Sequence, residues 1–338
     1  MNPIWVDEEG ALVGHEPITV IDPGVGSDRY RSAHETLRAS GRSVAFASFT
    51  FDTTEPGSHV VIPDVAGLEP SLPASPAPHG LRVVDDGVET WRTGFEKAML
   101  EVEMGRVEKV VLARQVLVEL PDGLTDNTII SRLATANPGC YLFSVDGLIG
   151  ASPELLVSLR RGRVRTLALA GTATDPEELE SVKISEEHRH VSRSVTSALS
   201  QHMTGIELTE QVIVPHGAMS HVGTRIEGPA RPGTTVADIL RDLHPTAAVA
   251  GSPTPSALDL IREIEPGSRG RYAGPVGWMS QDGDGVFAIA LRCGQINGAL
   301  MTLFAGGGLV AGSEQQAELE ETELKLAPML AALGHRAS

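Results

Sequence analysis

From Val88 onwards, the hydrophobic positions of the chain follow either helical or strand spacing. Val88–Met104 repeats its large apolar residues every three or four positions, which predicts a helix. Lys109–Val118 is apolar at almost every position, which predicts a strand buried on both faces. Two further groups of strands are predicted at Cys140–Val145, Leu148–Ala151, Leu155–Leu159 and Val164–Ala170, and at Tyr272–Met279, Gly285–Ile296 and Leu300–Ala305.

Helical patterns lie between and after these groups of strands. They cover Thr125–Ala136, Ser185–Met203, Val236–Leu243, Ser256–Ile264 and Glu314–Ala332. Because the strands come in antiparallel runs and do not alternate with helices, the pattern predicts an α+β fold and not a doubly wound parallel sheet. Residues 1–85 are irregular by comparison, with a predicted helix at Tyr30–Ser40, predicted strands at Ser43–Asp52 and His59–Pro63, and a proline-rich loop at Leu68–Gly80.

The composition excludes several classes of function. The chain has 338 residues, of which 41% are hydrophobic, and a formal net charge of -17. This acidic balance argues against nucleic acid or a membrane surface as a partner. An anionic substrate would need a local cation or clustered basic groups to overcome the repulsion. Cys140 and Cys293 lack metal-ligand or redox spacing, and no apolar run reaches the roughly 18 residues of a membrane span. We therefore expect a cytoplasmic, monomeric protein.

Three consecutive glycines near the C-terminus, Gly306, Gly307 and Gly308, end an apolar run and precede a helical pattern. Backbone amides in such a run can approach an anion closely, which predicts an amide-lined turn. On the following helix, Glu318, Glu321 and Lys325 share one face. Carboxylates and an ammonium beside such a turn suit a magnesium-bound carboxylate substrate, and the alternative is a solvated acidic helix face.

Lys109 and Glu154 are candidates for opposite proton transfers. Lys109 opens the buried strand, where a partly dry cleft would suit a general base; a solvated lysine that guards the strand edge is the alternative. Glu154 follows a tight turn and precedes apolar residues, so burial would favour its neutral form and a role as general acid. The alternative for Glu154 is an ordinary strand-edge glutamate.

Other polar residues interrupt apolar surroundings. Glu187 lies on an otherwise apolar helical stripe, and with Glu318 and Glu321 it would make an all-oxygen site that suits Mg²⁺ better than zinc. His244 and Thr246 lie in a predicted turn and could face a ligand. Arg292 ends an apolar strand pattern, where a guanidinium needs an anionic partner, either a substrate or an internal carboxylate.

Together these residues resemble those of the chorismate-utilising enzymes, the family of isochorismate, salicylate, anthranilate and aminodeoxychorismate synthases. The resemblance runs from about Trp91 to Leu330 and depends on motifs in the family's order. They are Lys109–Arg114, Ser152-Pro153-Glu154, Leu169–Thr172, Glu187-His188, His244-Pro245-Thr246, Tyr272–Gly277, Ala290-Leu291-Arg292, Gly306–Gly308 and Glu318–Lys325.

The resemblance implies one α+β unit of large antiparallel sheets packed together, with helices outside and the active site in a central cleft. Residues 1–85 would be a shortened scaffold segment of that unit, and residues 86–334 the catalytic region. Lysine at position 109 is typical of the members that activate water, and Ala170 stands where aminodeoxychorismate synthases carry a nucleophilic lysine. The resemblance thus implies isochorismate synthase, with salicylate synthase or a non-catalytic chorismate-binding homologue as alternatives.

The resemblance also implies a role for each site residue. Lys109 would deprotonate the attacking water and Glu154 would protonate the departing hydroxyl. Mg²⁺ would be held by Glu187 and Glu321, with Glu318 bonding a metal-bound water. The substrate would be bound by Ala170, Gly171, Thr172, His244, Thr246, Tyr272, Arg292, Gly306, Gly307, Gly308 and Lys325. Ile184 stands where the family usually has a second acid. Because ammonia is not used, no glutaminase subunit is expected.

Overall fold

The computed structural model describes residues 2–69, 80–173, 192, 194–216 and 219–335. The helices are α1 (Arg29–Ser40), α2 (Val88–Glu103), α3 (Asp126–Ala136), α4 (Val236–Leu243), α5 (Thr254–Ile264) and α6 (Gln315–Ala332), and residues 194–199 are also helical. The strands are β1 (Ile4–Asp7), β2 (Gly10–Ile21), β3 (Val44–Ser48), β4 (His59–Glu69), β5 (Arg82–Asp85), β6 (Lys109–Glu119), β7 (Tyr141–Val145), β8 (Leu148–Ser152), β9 (Leu155–Arg160), β10 (Arg163–Ala173), β11 (Glu207–His216), β12 (Met219–Pro229), β13 (Gly251–Ser252), β14 (Pro275–Ser280), β15 (Gly285–Ile289), β16 (Cys293–Asn297) and β17 (Leu300–Val310).

The strands form one continuous antiparallel array. Following the pairings from one end gives the order β5-β6-β17-β16-β8-β7-β1-β2-β4-β3-β14-β15-β9-β10-β12-β11, and the short β13 also pairs with the start of β6. We call β6, β17, β16, β8 and β7 the first wing, and β14, β15, β9, β10, β12 and β11 the second wing. The N-terminal strands β1 to β4 pair with both wings and join them.

Two buried hydrophobic clusters hold the helices against the strands of the array. One cluster packs α3 and α6 against a face of the first wing, with Ile129, Leu303 and Met329 among its members. The larger cluster packs α1, α2, α4 and α5 against the strands of both wings, and the fully buried Phe46 and Phe287 are among its members. Burial of these aliphatic and aromatic side chains is the main stabilising contribution. The predicted α+β class, with antiparallel sheets and helices on the outside, is confirmed.

The chain crosses between the wings at two neighbouring places. Pro153 and Glu154 connect β8 in the first wing to β9 in the second, and residues 290–292 connect β15 back to β16. The two crossovers are hydrogen-bonded to the strands beside them. The amide of Ile289 donates to the carbonyl oxygen of Glu154 (3.0 Å), and the amide of Ala151 donates to that of Arg292 (3.2 Å). A residue on either crossover therefore lies at the seam of the two wings.

Several predicted boundaries were wrong. Residues 1–21, predicted as irregular, contain β1 and β2; the predicted strand Gly285–Ile296 is interrupted at residues 290–292, and the strand predicted to end at Ala305 continues to Val310. Most of the predicted loop Leu68–Gly80 and the first part of the predicted helix Ser185–Met203 lie outside the described residues. Among the helices that are described, none has the length and apolar character needed to cross a membrane.

Candidate active site

The three glycines lie inside a strand, so the predicted amide-lined turn was wrong. Gly306, Gly307 and Gly308 pair with Ala113, Leu112 and Val111 of β6. A Cβ at position 306 would lie 2.8 Å from the Tyr272 hydroxyl, and one at position 308 would lie 2.6 Å from Lys109 Cε. Since strand residues alternate between faces, the glycines leave room for a tyrosine and a lysine on one side of β17.

The opposite face of this strand meets helix α6. A Cβ at Gly307 would lie 3.0 Å from Glu318 Oε2, and the Lys325 ammonium donates to the Gly306 carbonyl oxygen (2.8 Å). Glu321 forms an ion pair with Lys325 at 2.5 Å, and Glu318 accepts a hydrogen bond from the Ser313 hydroxyl at 2.8 Å. The acidic face of α6 is therefore directed at the glycine strand and is only partly exposed to solvent.

We predict that Gly308→Ala lowers kcat by about 10-fold or more, because the new methyl group would displace the Lys109 side chain. The thermal midpoint should stay close to that of the unsubstituted protein, since the obstructing atoms belong to a flexible side chain. Gly67→Ala is the matched control, because Gly67 also lies in a strand and an added Cβ would meet no atom within 4 Å. Equal activity of the two variants would contradict the prediction.

Glu154 lies on the first crossover, where burial raises its pKa from 4.5 to about 7. The charges of Lys109 and Lys325 oppose this rise and hold the pKa lower than burial alone would set it. Lys109 belongs to the first wing and Lys325 to α6. Because the charges of both ammonium groups act on Glu154, both groups lie within electrostatic range of the seam. A carboxyl group with a pKa near neutrality can donate a proton at physiological pH.

A small cavity extends from Glu154 into the second wing. Its walls are mostly apolar, with Leu156, Val195 and Leu243 among the lining residues, and Thr246 lies at the same cavity. The buried Thr246 hydroxyl has no hydrogen-bond partner in the part of the chain that the structure describes. A buried polar atom without a hydrogen-bond partner destabilises the fold, so a ligand hydroxyl or carboxylate at this position would supply the missing hydrogen bond.

Helix α4 and His244 position that threonine. Thr235 and Asp238 form a capping box at the start of α4, and the helix ends at Leu243, directly before the turn. The His244 ring is buried and uses both nitrogens within the protein, contacting the Tyr30 hydroxyl (3.1 Å) and the Ala273 carbonyl oxygen (3.2 Å). Both ring nitrogens thus help to hold the turn in place, and the expected substrate contact of His244 stays a prediction.

Arg292 lies on the second crossover and not on the strand where the sequence pattern put it. Its backbone is in the left-handed region (φ 46°), and its side chain is 7% exposed. Burial lowers the pKa of the guanidinium, and among the described residues no carboxylate lies within ion-pair distance. A buried cation of this kind is stabilised by an anionic ligand.

Tyr272 forms another wall of the site. Its ring stacks on Phe304 of β17, with centroids 4.9 Å apart and an interplanar angle of 8°. Burial is the largest cause that raises its pKa, and the charge of Glu154 adds to the rise. The hydroxyl therefore stays protonated and can donate a hydrogen bond beside Gly306.

Some expected site residues cannot be placed against this geometry. Glu187 and Ile184 lie outside the described residues, and for Ala170, Gly171 and Thr172 the structure describes only the backbone, on β10. A register shift between Ala170 and Thr172 interrupts the pairing of β10 with β12. The described residues contain no group of three or more His, Cys, Asp or Glu side chains that could hold a metal.

Sequence reasoning missed the supports of β6, the strand that begins at Lys109. Arg269 and Glu265 form a buried ion pair at 2.6 Å, both side chains being 2% exposed. Arg269 donates to the Val111 carbonyl oxygen and Glu265 accepts from the Ala113 amide, which holds β6 at the positions after Lys109. The i, i+4 spacing of Glu265 and Arg269 was the available signal, but it is common on solvent-exposed helix faces.

Comparison with known proteins shows the family to which the chain belongs. Residues 69–334 match the family described as chorismate binding enzyme, and the chain belongs to that family. It is 34% identical over 262 residues to the isochorismate synthase MenF of Bacillus subtilis; the match covers 73% of this chain and 56% of that protein. It is also 34% identical to a MenF protein of Mycobacterium tuberculosis, with 94% of both chains covered. The crystal structure of DhbC from Bacillus anthracis superposes with a TM-score of 0.87 at 27% identity, covering 98% of this chain and 96% of that one.

Proposed function

We propose that this chain is an isochorismate synthase, which converts chorismate to isochorismate. The observation that carries the proposal is the buried carboxyl group of Glu154, whose pKa is raised to about 7 by burial, a rise that the charge of Lys109 opposes. Lys109 opens β6 in the first wing and Glu154 lies on the crossover at the seam, and in this proposal they serve opposite faces of the substrate ring. The relatives named as isochorismate synthases support the same activity.

Positive charge near the seam would overcome the chain's net charge of -17. Arg292 and Lys325 would bind the carboxylates of the substrate, and the Tyr272 and Thr246 hydroxyls would orient it. Ala170, Gly171 and Thr172 would line the ring on the side of the second wing. Electrostatic stabilisation and positioning of the substrate commonly make the largest contribution to an enzyme's rate enhancement.

The two proton transfers follow from this placement. Lys109 would accept a proton from a water molecule as the water oxygen bonds to the ring carbon next to the one that bears the carboxylate. The ring double bonds shift and the bond to the hydroxyl at the far carbon breaks. Glu154 would donate its proton to that departing hydroxyl, which leaves as water. One water enters and one leaves, so the net reaction is an isomerisation.

The carboxylates of α6 have the chemistry of a Mg²⁺ site. Glu318 and Glu321 are one helical turn apart and offer only oxygen ligands, which Mg²⁺ prefers. We propose that Glu187 completes the set, with Glu318 bonding a metal-bound water. When bound, the ion would neutralise the ring carboxylate. Lys325, now paired with Glu321, would then be available for the substrate. No ammonia is consumed, so no glutaminase subunit is required.

The proposal is tested by incubating the purified protein with chorismate and MgCl₂ and separating the products by chromatography. Isochorismate should form, and chorismate should form when isochorismate is supplied. Release of salicylate and pyruvate would make the chain a salicylate synthase, and chorismate binding without any product would make it a sensor; either result would overturn the proposal.

We expect EDTA to abolish turnover and MgCl₂ to restore it. Glu321→Gln should raise the Mg²⁺ concentration needed for half-maximal activity by about 10-fold or more, because a ligand charge is lost. The control is Glu320→Gln, whose carboxylate is exposed and bonded to Gln316 on another face of α6. Turnover that is insensitive to EDTA would contradict the metal proposal.

A further inference from the structure

A buried chain of hydrogen bonds connects the N-terminal segment to the candidate active site. Arg29 is 1% exposed, and its Nη2 donates to the Tyr30 hydroxyl at 2.9 Å. That hydroxyl contacts His244 Nδ1 at 3.1 Å, and His244 Nε2 contacts the Ala273 carbonyl oxygen at 3.2 Å. Arg29 and Tyr30 open helix α1 and lie before residue 69, where the family match begins.

The groups at the two ends of this hydrogen-bond chain fix which atom donates and which accepts in every bond. A guanidinium can only donate, so the Tyr30 oxygen accepts from Arg29 and its proton is directed at His244 Nδ1. A carbonyl oxygen can only accept, so His244 Nε2 must carry the hydrogen that bonds to Ala273. Both ends therefore require the same neutral Nε2–H tautomer. Burial, assisted by the Arg29 charge, lowers the His244 pKa to about 3, so the ring stays neutral.

This chain of hydrogen bonds leads to two walls of the candidate active site. Ala273 follows Tyr272 directly and has a left-handed backbone (φ 61°), which an alanine adopts only when its surroundings hold it there. Its amide donates to the Ala290 carbonyl oxygen at 2.9 Å, at the start of the crossover that carries Arg292. On the other side, Thr246 is two residues from His244 and lines the cavity beside Glu154.

Arg29 itself is held rigidly. Its Nη1 donates to the Thr50 hydroxyl at 2.6 Å and its Nη2 to the Thr50 carbonyl oxygen at 2.7 Å. Its guanidinium also lies over the Phe49 ring, 5.7 Å from the centroid. The donor that orients Tyr30 is thus fixed by the N-terminal part of the fold.

We infer that Arg29 and Tyr30 are positioning residues of the active site, which act by fixing the tautomer and orientation of His244 and, through it, the Tyr272 hydroxyl and Thr246. The inference rests on the proposed function for its kinetic consequence only. The state of the His244 ring can be observed whether or not the protein converts chorismate. The N-terminal segment is in this view part of the catalytic apparatus and more than a scaffold.

The test compares Tyr30→Phe with Tyr141→Phe, which removes a hydroxyl from a tyrosine outside this chain of bonds. In ¹⁵N-labelled protein, imidazole correlation spectra should give one Nε2–H tautomer for His244, assigned by loss of its signals in His244→Asn. In Tyr30→Phe the Nδ1 resonance should move towards the value of a nitrogen without a hydrogen bond. We expect kcat to fall by about 10-fold with KM changed less than about 3-fold, because geometry and not charge is lost. Tyr141→Phe should change neither quantity.

Two results would overturn the inference. One is an Nδ1–H tautomer of His244 in the unsubstituted protein, which requires no variant to fold. The other is a Tyr30→Phe protein whose thermal midpoint falls while kcat is retained, as a purely structural role would give. If the unsubstituted protein makes no isochorismate, the proposed function fails separately, and the tautomer measurement still tests the hydrogen-bond chain.

Discussion

Glu154→Gln is expected to lower kcat by about 10²–10⁴-fold, because an amide cannot supply the proton that the departing hydroxyl needs. The shape of the side chain and its position on the crossover are kept, so KM should change far less than kcat. Glu263→Gln on the exposed face of α5 is the control. Turnover close to that of the unsubstituted protein would remove Glu154 from the mechanism.

The same variant should alter stability in a pH-dependent way. The Glu154 carboxyl ionises near 4.5 when unfolded and near 7 when folded, so it contributes stability below pH 4.5 that is lost as pH rises to 7. The loss amounts to about 3 kcal/mol, and glutamine does not undergo it. Urea unfolding at pH 4.5 and pH 8 should therefore show the variant gaining stability relative to the unsubstituted protein at pH 8. If the variant and the unsubstituted protein differ in unfolding free energy by the same amount at pH 4.5 and at pH 8, burial of the ionised Glu154 carboxylate is contradicted.

Lys109→Met is expected to lower kcat by about 10²–10⁴-fold, because the amine that accepts the proton of the attacking water is replaced by an apolar chain of similar length. The variant should also raise the Glu154 pKa further, since one of the two charges that lower it is lost. Carboxyl titration followed by ¹³C NMR would measure that rise.

Lys97→Met, at an exposed position on α2, is the matched control and should affect neither kcat nor the Glu154 titration. A Lys109→Met protein with normal turnover would exclude this lysine as the base. A large loss of turnover with an unmoved Glu154 pKa would instead indicate that the two groups do not face one cavity.

The candidate proton-transfer pair was predicted from the sequence because each member stands directly before an apolar run. Lys109 and Glu154 both stand where a polar side chain is costly to bury, and such positions are commonly functional. The structure brings both within electrostatic range of one seam. The roles assigned to them, like those of the remaining site residues, stay predictions.

Other features could not be read locally. Gly306 to Gly308 suggested the end of a strand, because glycine is depleted from strand interiors. Glycine is required there by three side chains that are distant in sequence, those of Tyr272, Glu318 and Lys109. Arg292 adopts a positive φ without glycine or proline to mark the break. Strand β2 contains Gly10, Gly14 and Pro17, which read as loop signals, although the strand continues past a register shift between His15 and Ile18.

The position of β1 to β4 between the wings has a consequence for any shorter form of this protein. A chain starting at residue 69 would keep almost every residue proposed for substrate and metal, yet β7 and β14 would each lose a hydrogen-bonded neighbour. Two unpaired and largely apolar strand edges would then be exposed to solvent, and such edges promote self-association. Among the described strands, β1 to β4 are the ones that join the two wings, so the wings would no longer form one array.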